Sequence, residues 1–170
     1  METTCQEVTK PLHGYGGDAE LVMARPGAAA ALDLKLLLGF VAAEPFVPVA
    51  RKATVQALDQ DRFSAEAVSD VATIVTELVA NAVTVSVGRW IEVRVGIKAP
   101  YLVVDVWDPS EQMPATVRCP GDEEINGRGL LIIAALSTAW EIVPTPDRGG
   151  KRVVAYMTVS DPPLPEPPAA

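Results

Sequence analysis

Apolar residues recur every three or four positions along VSDVATIVTELVANAV (residues 68–83). Val68, Val71, Ile74, Val75, Leu78, Ala82 and Val83 predict one buried face of a helix. Asp70, Thr73, Glu77, Asn81 and Thr84 repeat with the same spacing on another face. Ser64 stands where an N-cap belongs, and Glu66 and Asp70 bias acid toward the helix start. After this helix the period changes to two. RWIEVRVGI (residues 89–97) sets Ile91, Val93, Val95 and Ile97 against Glu92, Arg94 and Gly96, a half-buried strand. YLVVDVWD (residues 101–108) follows the short turn KAP, so the two strands predict an antiparallel hairpin. LLIIAALS (residues 130–137) predicts a second long helix, and WEIVP and KRVVAYMTV a further hairpin around TPDRGG. Upstream, LKLLLGF (residues 34–40) reads as a strand at a sheet edge. EPFVPVARKATVQALD (residues 44–59) reads as a helix with Pro45 and Pro48 in its first turn and Val49, Ala53 and Leu58 near one face.

This order of elements predicts an α/β fold of the α+β two-layer sandwich type, a mixed, largely antiparallel sheet with its helices on one face. Residues 32–160 form one domain. Residues 1–31 are expected to be a mobile arm, with a short helix in AAAALDL, and residues 161–170, half of them proline, an extended tail. With 170 residues, 49% of them hydrophobic, the chain can bury a sizeable core. Apolar runs are broken short of the ~20 residues of a membrane span, and the polar start METTCQEVTK is no signal peptide. The expected location is therefore cytoplasmic, without membrane attachment. Cys5 and Cys119 are too few for a disulfide framework, and His13 alone supports neither a serine-hydrolase triad nor a phospho-histidine relay. The formal charge of −8 argues against direct nucleic-acid binding, which needs Lys and Arg to neutralise phosphates. A bound polyanion would have to be compensated locally, by a metal ion, a helix N-terminus or a few basic side chains.

Several residues carry candidate chemistry. Glu77 and Asn81, four apart on one helix face, direct a carboxylate and an amide oxygen into the same space, a ligand pair of the kind Mg²⁺ accepts. A solvated polar stripe gives the same spacing. Asp108 ends a strand before Pro109, as either a ligand acceptor or a turn-capping aspartate. Asp105, three residues earlier, is expected to face solvent or a partner. Residues 109–126 form a connection long enough to act as a lid, and Cys119 within it reads as a small side chain. Gly127, Arg128 and Gly129 precede the second helix. They would let a backbone approach an anion held by the helix N-terminus, or merely make the entry turn. Gly149, Gly150 and Lys151 have the form of a hairpin turn.

Taken in order, TELVANAV, DPS, the long connection, GRGLLII and GGKRVVAYM resemble the GHKL family of ATP-binding domains, with its Bergerat ATP site. The likeness runs over roughly residues 34–159 and is greatest to the compact branch of anti-sigma-factor serine kinases and their actinobacterial relatives. The resemblance implies ATP and Mg²⁺ as ligands. It implies that Asn81 ligates Mg²⁺, that Glu77 is the catalytic base, and that Asp108 accepts from the adenine amino group. It further implies that Gly127, Arg128, Gly129 and Leu130 hold phosphates beneath an ATP lid, and that the strand opened by Lys151 floors the nucleotide pocket.

Two departures stand out. Relatives of this branch carry a basic Arg-His pair just after the asparagine motif, where this chain has Thr84 and Val85. The glycines of D-x-G-x-G are replaced by Ser110 and Gln112, although serine is usual among the actinobacterial relatives. The resemblance implies a serine protein kinase that phosphorylates a small anti-sigma-factor antagonist and also sequesters a sigma factor. The alternative is a non-catalytic ATP-binding module that regulates transcription by occluding a partner. Compact relatives often dimerise, which leaves a homodimer open.

Overall fold

A computed structural model describes residues 32–58, 62–112 and 128–158. The elements run β1 (Asp33–Val41), α1 (Phe46–Ala57), α2 (Ala65–Ser86), β2 (Trp90–Lys98), β3 (Tyr101–Asp108), α3 (Arg128–Leu136), β4 (Ala139–Pro144) and β5 (Lys151–Thr158). The five strands form one sheet in the order β1-β2-β3-β5-β4. All its pairings are antiparallel, with no parallel component among the described residues. Each consecutive pair of strands that meets as neighbours is joined by a hairpin or by a crossover that returns antiparallel. Strand β5 enters between β3 and β4, which places Lys151 beside Asp108.

The helix α2 is the hub. The Ser64 hydroxyl caps it by accepting from the Ala67 N–H at 3.1 Å, and Glu66 lies in its first turn. Thr73, Thr76 and Thr84 donate their hydroxyls to the carbonyls four residues back, so these side chains are satisfied within the helix. Every apolar residue of the predicted face is buried, joined by Ala72 and Val79. These side chains pack on Ile91, Val93 and Val95 of β2, Leu102, Val104 and Val106 of β3, and Val153, Ala155 and Met157 of β5. The alternation along each strand turns these positions to the helical side. Burying one Val, Leu or Ile contributes roughly 1.5–3 kcal/mol, so this interface dominates the stability of the domain. The helix is long and apolar enough to cross a bilayer by length and composition alone. Here it is amphipathic, with half of that apolar stretch packed inside the fold.

The opposite sheet face carries an ion-paired network in place of a second helical layer. Asp105 is buried between Arg94 of β2 and Arg152 of β5. This corrects the expectation that it faces solvent. Alternation does direct it away from the helices, but the two flanking strands supply arginines that close over it. Arg148 pairs with Glu92 at 3.0 Å and lies 3.7 Å over the Trp107 ring.

The helix α1 differs from its sequence expectation in rotation. Ala50 and Thr54 are its buried residues, while Val49 is 54% exposed. Phe46, partly exposed, stacks on Phe40 of β1 with 5.1 Å between centroids, while Ala50 and Thr54 turn inward. Thr54 is tolerated inside because its hydroxyl donates to the Ala50 carbonyl at 2.9 Å. The expected helix in AAAALDL is overturned where it can be followed, since Asp33 and Leu34 belong to β1. The remainder of the arm, the loop segment 113–127 with Cys119, and the tail lie outside the described residues.

Candidate functional site

A cavity of about 180 Å³ opens between α2, the start of α3 and the ends of β3 and β5. Leu78, Asn81, Ala82, Thr84 and Val85 line it from α2, and Gly129 and Leu130 from α3. Val106, Asp108, Lys151 and Val153 form its sheet side, and Gln112 its rim. Apolar walls with a few polar groups converging on them are the usual makeup of a small-molecule site.

Asp108 and Lys151 form its deepest polar feature. Both side chains are 3% exposed, and the Lys151 ammonium donates to Asp108 Oδ1 at 2.9 Å and to the Ser110 carbonyl at 3.0 Å. The same Oδ1 also accepts from the Ser110 N–H at 2.9 Å and from the Ser86 hydroxyl at 3.4 Å. No donor among the described residues reaches Oδ2, so one oxygen is held by three donors and the other remains an open acceptor. Gly150 makes the arrangement possible. Its φ is +73°, and a Cβ there would run into the Asp108 carbonyl, so only glycine lets β5 start this close to the end of β3.

The second polar feature lies toward the outer end of the cavity. Gly129 packs against α2 where a Cβ would lie 2.8 Å from Glu77 Oε2 and 3.4 Å from the Asn81 amide nitrogen. Glu77 is half-buried and Asn81 exposed, and neither side chain is hydrogen-bonded to a described residue. The absence of a side chain at Gly129 is what lets the start of α3 approach both side chains this closely.

Of the residues singled out from sequence, Asn81, Asp108, Gly129, Leu130 and Lys151 line the cavity, whereas Glu77 is not in its lining and lies against Gly129. Arg128 opens α3, although its side chain, like all of Gly127, lies outside the described residues. Thr84 and Val85 line the cavity where the resemblance would put a basic pair, leaving Lys151 as the one cation in its lining among the described residues. Sequence reasoning missed Ser86, whose hydroxyl reaches Asp108. A buried serine one turn beyond Ala82, on the apolar face, was the available signal. It also missed that Gly150 serves the site as well as the turn.

The cavity thus offers an open carboxylate oxygen at its base, apolar walls, and the Asn81 amide beside a glycine at the start of a helix, with the Glu77 carboxylate next to that glycine. That is a set suited to a ligand with a polar-edged flat end and an anionic end. No curated protein matches the chain. The model of the histidine kinase-like ATPase domain matches residues 40–157, which spans every element from the end of β1 to β5. With that match covering more than half its length, and with the antiparallel sheet and helices arranged around such a cavity, the chain belongs to the histidine kinase-like ATPase domain family and is an ATP-binding domain of the GHKL type.

Proposed function

We propose that this protein is a Mg·ATP-dependent serine protein kinase of the anti-sigma-factor type, acting on a small antagonist protein and binding a sigma factor. The observation that carries the reading is the approach of Gly129 to Glu77 and Asn81, in the same cavity that holds Asp108 at its base. Asp108 Oδ2 accepts from the adenine amino group. Val106, Val153 and Leu130 flank the base, and Lys151 neutralises the buried carboxylate. Gly129 and the α3 N-terminus would meet the phosphates, which are favoured by the unpaired N–H groups of a helix start, and the resemblance adds Gly127 and Arg128 to that role.

The residues present fit Mg²⁺ only in company with a nucleotide. No group of three or more His, Cys, Asp or Glu side chains able to hold a metal occurs among the described residues. Asn81 and Glu77 offer one or two hard oxygens, and Mg²⁺ is commonly completed by substrate phosphates and water. When bound there, the ion supplies charge neutralisation of the phosphates. Asn81 would hold it through its amide oxygen. Glu77 accepts the proton of the incoming serine hydroxyl, a general-base role that its half-buried position beside the cavity supports.

A second reading rests on Thr84 and Val85. With these uncharged side chains lining the cavity, the phosphates have fewer cations to balance them, which favours an ATP-binding module that occludes its partner without turnover. Transfer of labelled phosphate from Mg·ATP to a candidate antagonist protein decides between the two. The kinase reading expects label on a serine and its loss in Glu77→Gln. The module reading expects ATP-dependent partner binding and no label.

A further inference from the structure

We propose that Lys151 is a second reader of the nucleotide base, donating a hydrogen bond to the ring nitrogen that adjoins the amino group accepted by Asp108. The proposal rests on the ATP reading above and adds a specificity-determining residue to it.

An ammonium has three protons and no lone pair. Lys151 commits one proton to Asp108 Oδ1 and one to the Ser110 carbonyl, and no described residue takes the third. Asp108 is arranged in complementary fashion, with three donors on Oδ1 and none on Oδ2. The buried pair therefore has one acceptor and one donor left without a described partner, on two adjoining residues that both line the cavity. As the two charges cancel, the pair can sit among apolar walls where either charge alone would be costly.

The Watson–Crick edge of adenine has the matching order, an amino donor at N6 beside an acceptor at N1. Guanine reverses both, with a carbonyl oxygen at C6 and an N1–H. An adenine would satisfy Oδ2 and the third ammonium proton together, whereas guanine would set acceptor against acceptor and donor against donor. Leaving a buried polar partner unpaired is what makes such sites discriminate strongly. If Lys151 served only to neutralise Asp108, the ring nitrogen would be indifferent to it.

Replacing N1 by C–H separates these roles without touching the protein. Binding of ATP and of 1-deaza-ATP, both with Mg²⁺, is measured by calorimetry on the full chain and on Lys151→Met. The paired variant Lys151→Met/Asp108→Asn is used as well, since it leaves no unpaired buried charge should the single one not fold. The wild type is expected to bind 1-deaza-ATP about 10- to 100-fold more weakly than ATP, the range for a hydrogen bond from a charged donor. The difference should vanish in whichever Lys151 variant folds. Equal binding of the two nucleotides by the wild type overturns the proposal, as does a difference that persists without Lys151. Failure of the wild type to bind either nucleotide overturns the underlying ATP reading, and is told apart because ATP itself is then not bound.

Discussion

Gly129 and Glu77, on different helices, are so close that a Cβ on the glycine would come within 2.8 Å of the Glu77 carboxylate. The obstructing atom is the tip of a flexible side chain, so the fold can accommodate Gly129→Ala by moving Glu77. Alanine is also favoured over glycine inside a helix by roughly 0.5–1 kcal/mol. We expect Gly129→Ala to keep or slightly raise the melting temperature while weakening ATP binding by roughly tenfold, or about 1.4 kcal/mol. Thermal denaturation and calorimetry on the same sample measure both. A variant that binds ATP as the wild type does would remove Gly129 from the nucleotide site.

Glu77 and Asn81 should separate binding from chemistry. Asn81→Ala removes an oxygen ligand and should weaken Mg²⁺-dependent ATP affinity together with any transfer. Glu77→Gln keeps the size of the side chain and should leave affinity nearly unchanged, while costing about 10²–10⁴-fold in rate. If both positions were plain helix surface, each change would shift stability by less than about 0.5 kcal/mol and nothing else would move.

The two glycines of the β4–β5 turn should not be equivalent. Both have positive φ, +77° at Gly149 and +73° at Gly150, but a Cβ at Gly149 meets open space. Gly149→Ala should cost about 1–2 kcal/mol, the left-handed backbone penalty alone. Gly150→Ala adds a collision with the backbone of Asp108 and Pro109, which cannot rotate away. It should lower stability by more than Gly149→Ala and should also weaken ATP binding. Equal melting temperatures for the two variants would refute the close approach.

Acid stability should depend on Glu92. The hydrogen bond from Arg148 holds its carboxyl below the ordinary 4.5, against the opposing effect of burial, with Arg152 adding to the depression. A depressed folded-state pKa means that the stabilisation is present above about the ordinary glutamate value and is lost as pH falls through the lower, folded one. Glu92→Gln should therefore flatten the fall in melting temperature below pH 4.5, the ordinary value, and change its slope little near neutrality. Identical acid limbs for variant and wild type would contradict this.

What could be read beforehand was what local periodicity encodes. The apolar face of α2, its Ser64 cap, the β2–β3 hairpin and the positions of Asn81, Asp108 and Gly129 all follow from spacing and motif order. What escaped depends on which strands become neighbours. Asp105 alternates outward as expected, yet nothing near it in the chain announces that β5 will bring Arg152 alongside. The resemblance places Lys151 at the pocket, but its ion pair with Asp108 follows only once β5 pairs with β3. The rotation of α1 escaped for a similar reason, since Val49 is more apolar than the buried Ala50 and Thr54 and nothing within the helix says which side packs against its neighbours.

The insertion of β5 between β3 and β4 also bears on the timing of assembly. Asp108 and Lys151 are separated by 43 positions, and they meet only when β5 docks on β3. Closing so long a loop costs chain entropy that no local contact returns in advance. The Asp108–Lys151 end of the cavity therefore cannot exist in any partly folded state from which the last hairpin is detached. Opening of that hairpin alone would erase the pocket while leaving α2 and the sheet of β1, β2 and β3 in place, so bound nucleotide would act as a clasp on the hairpin. Its imprint should be slowed amide hydrogen exchange across β5, with much smaller change in β1.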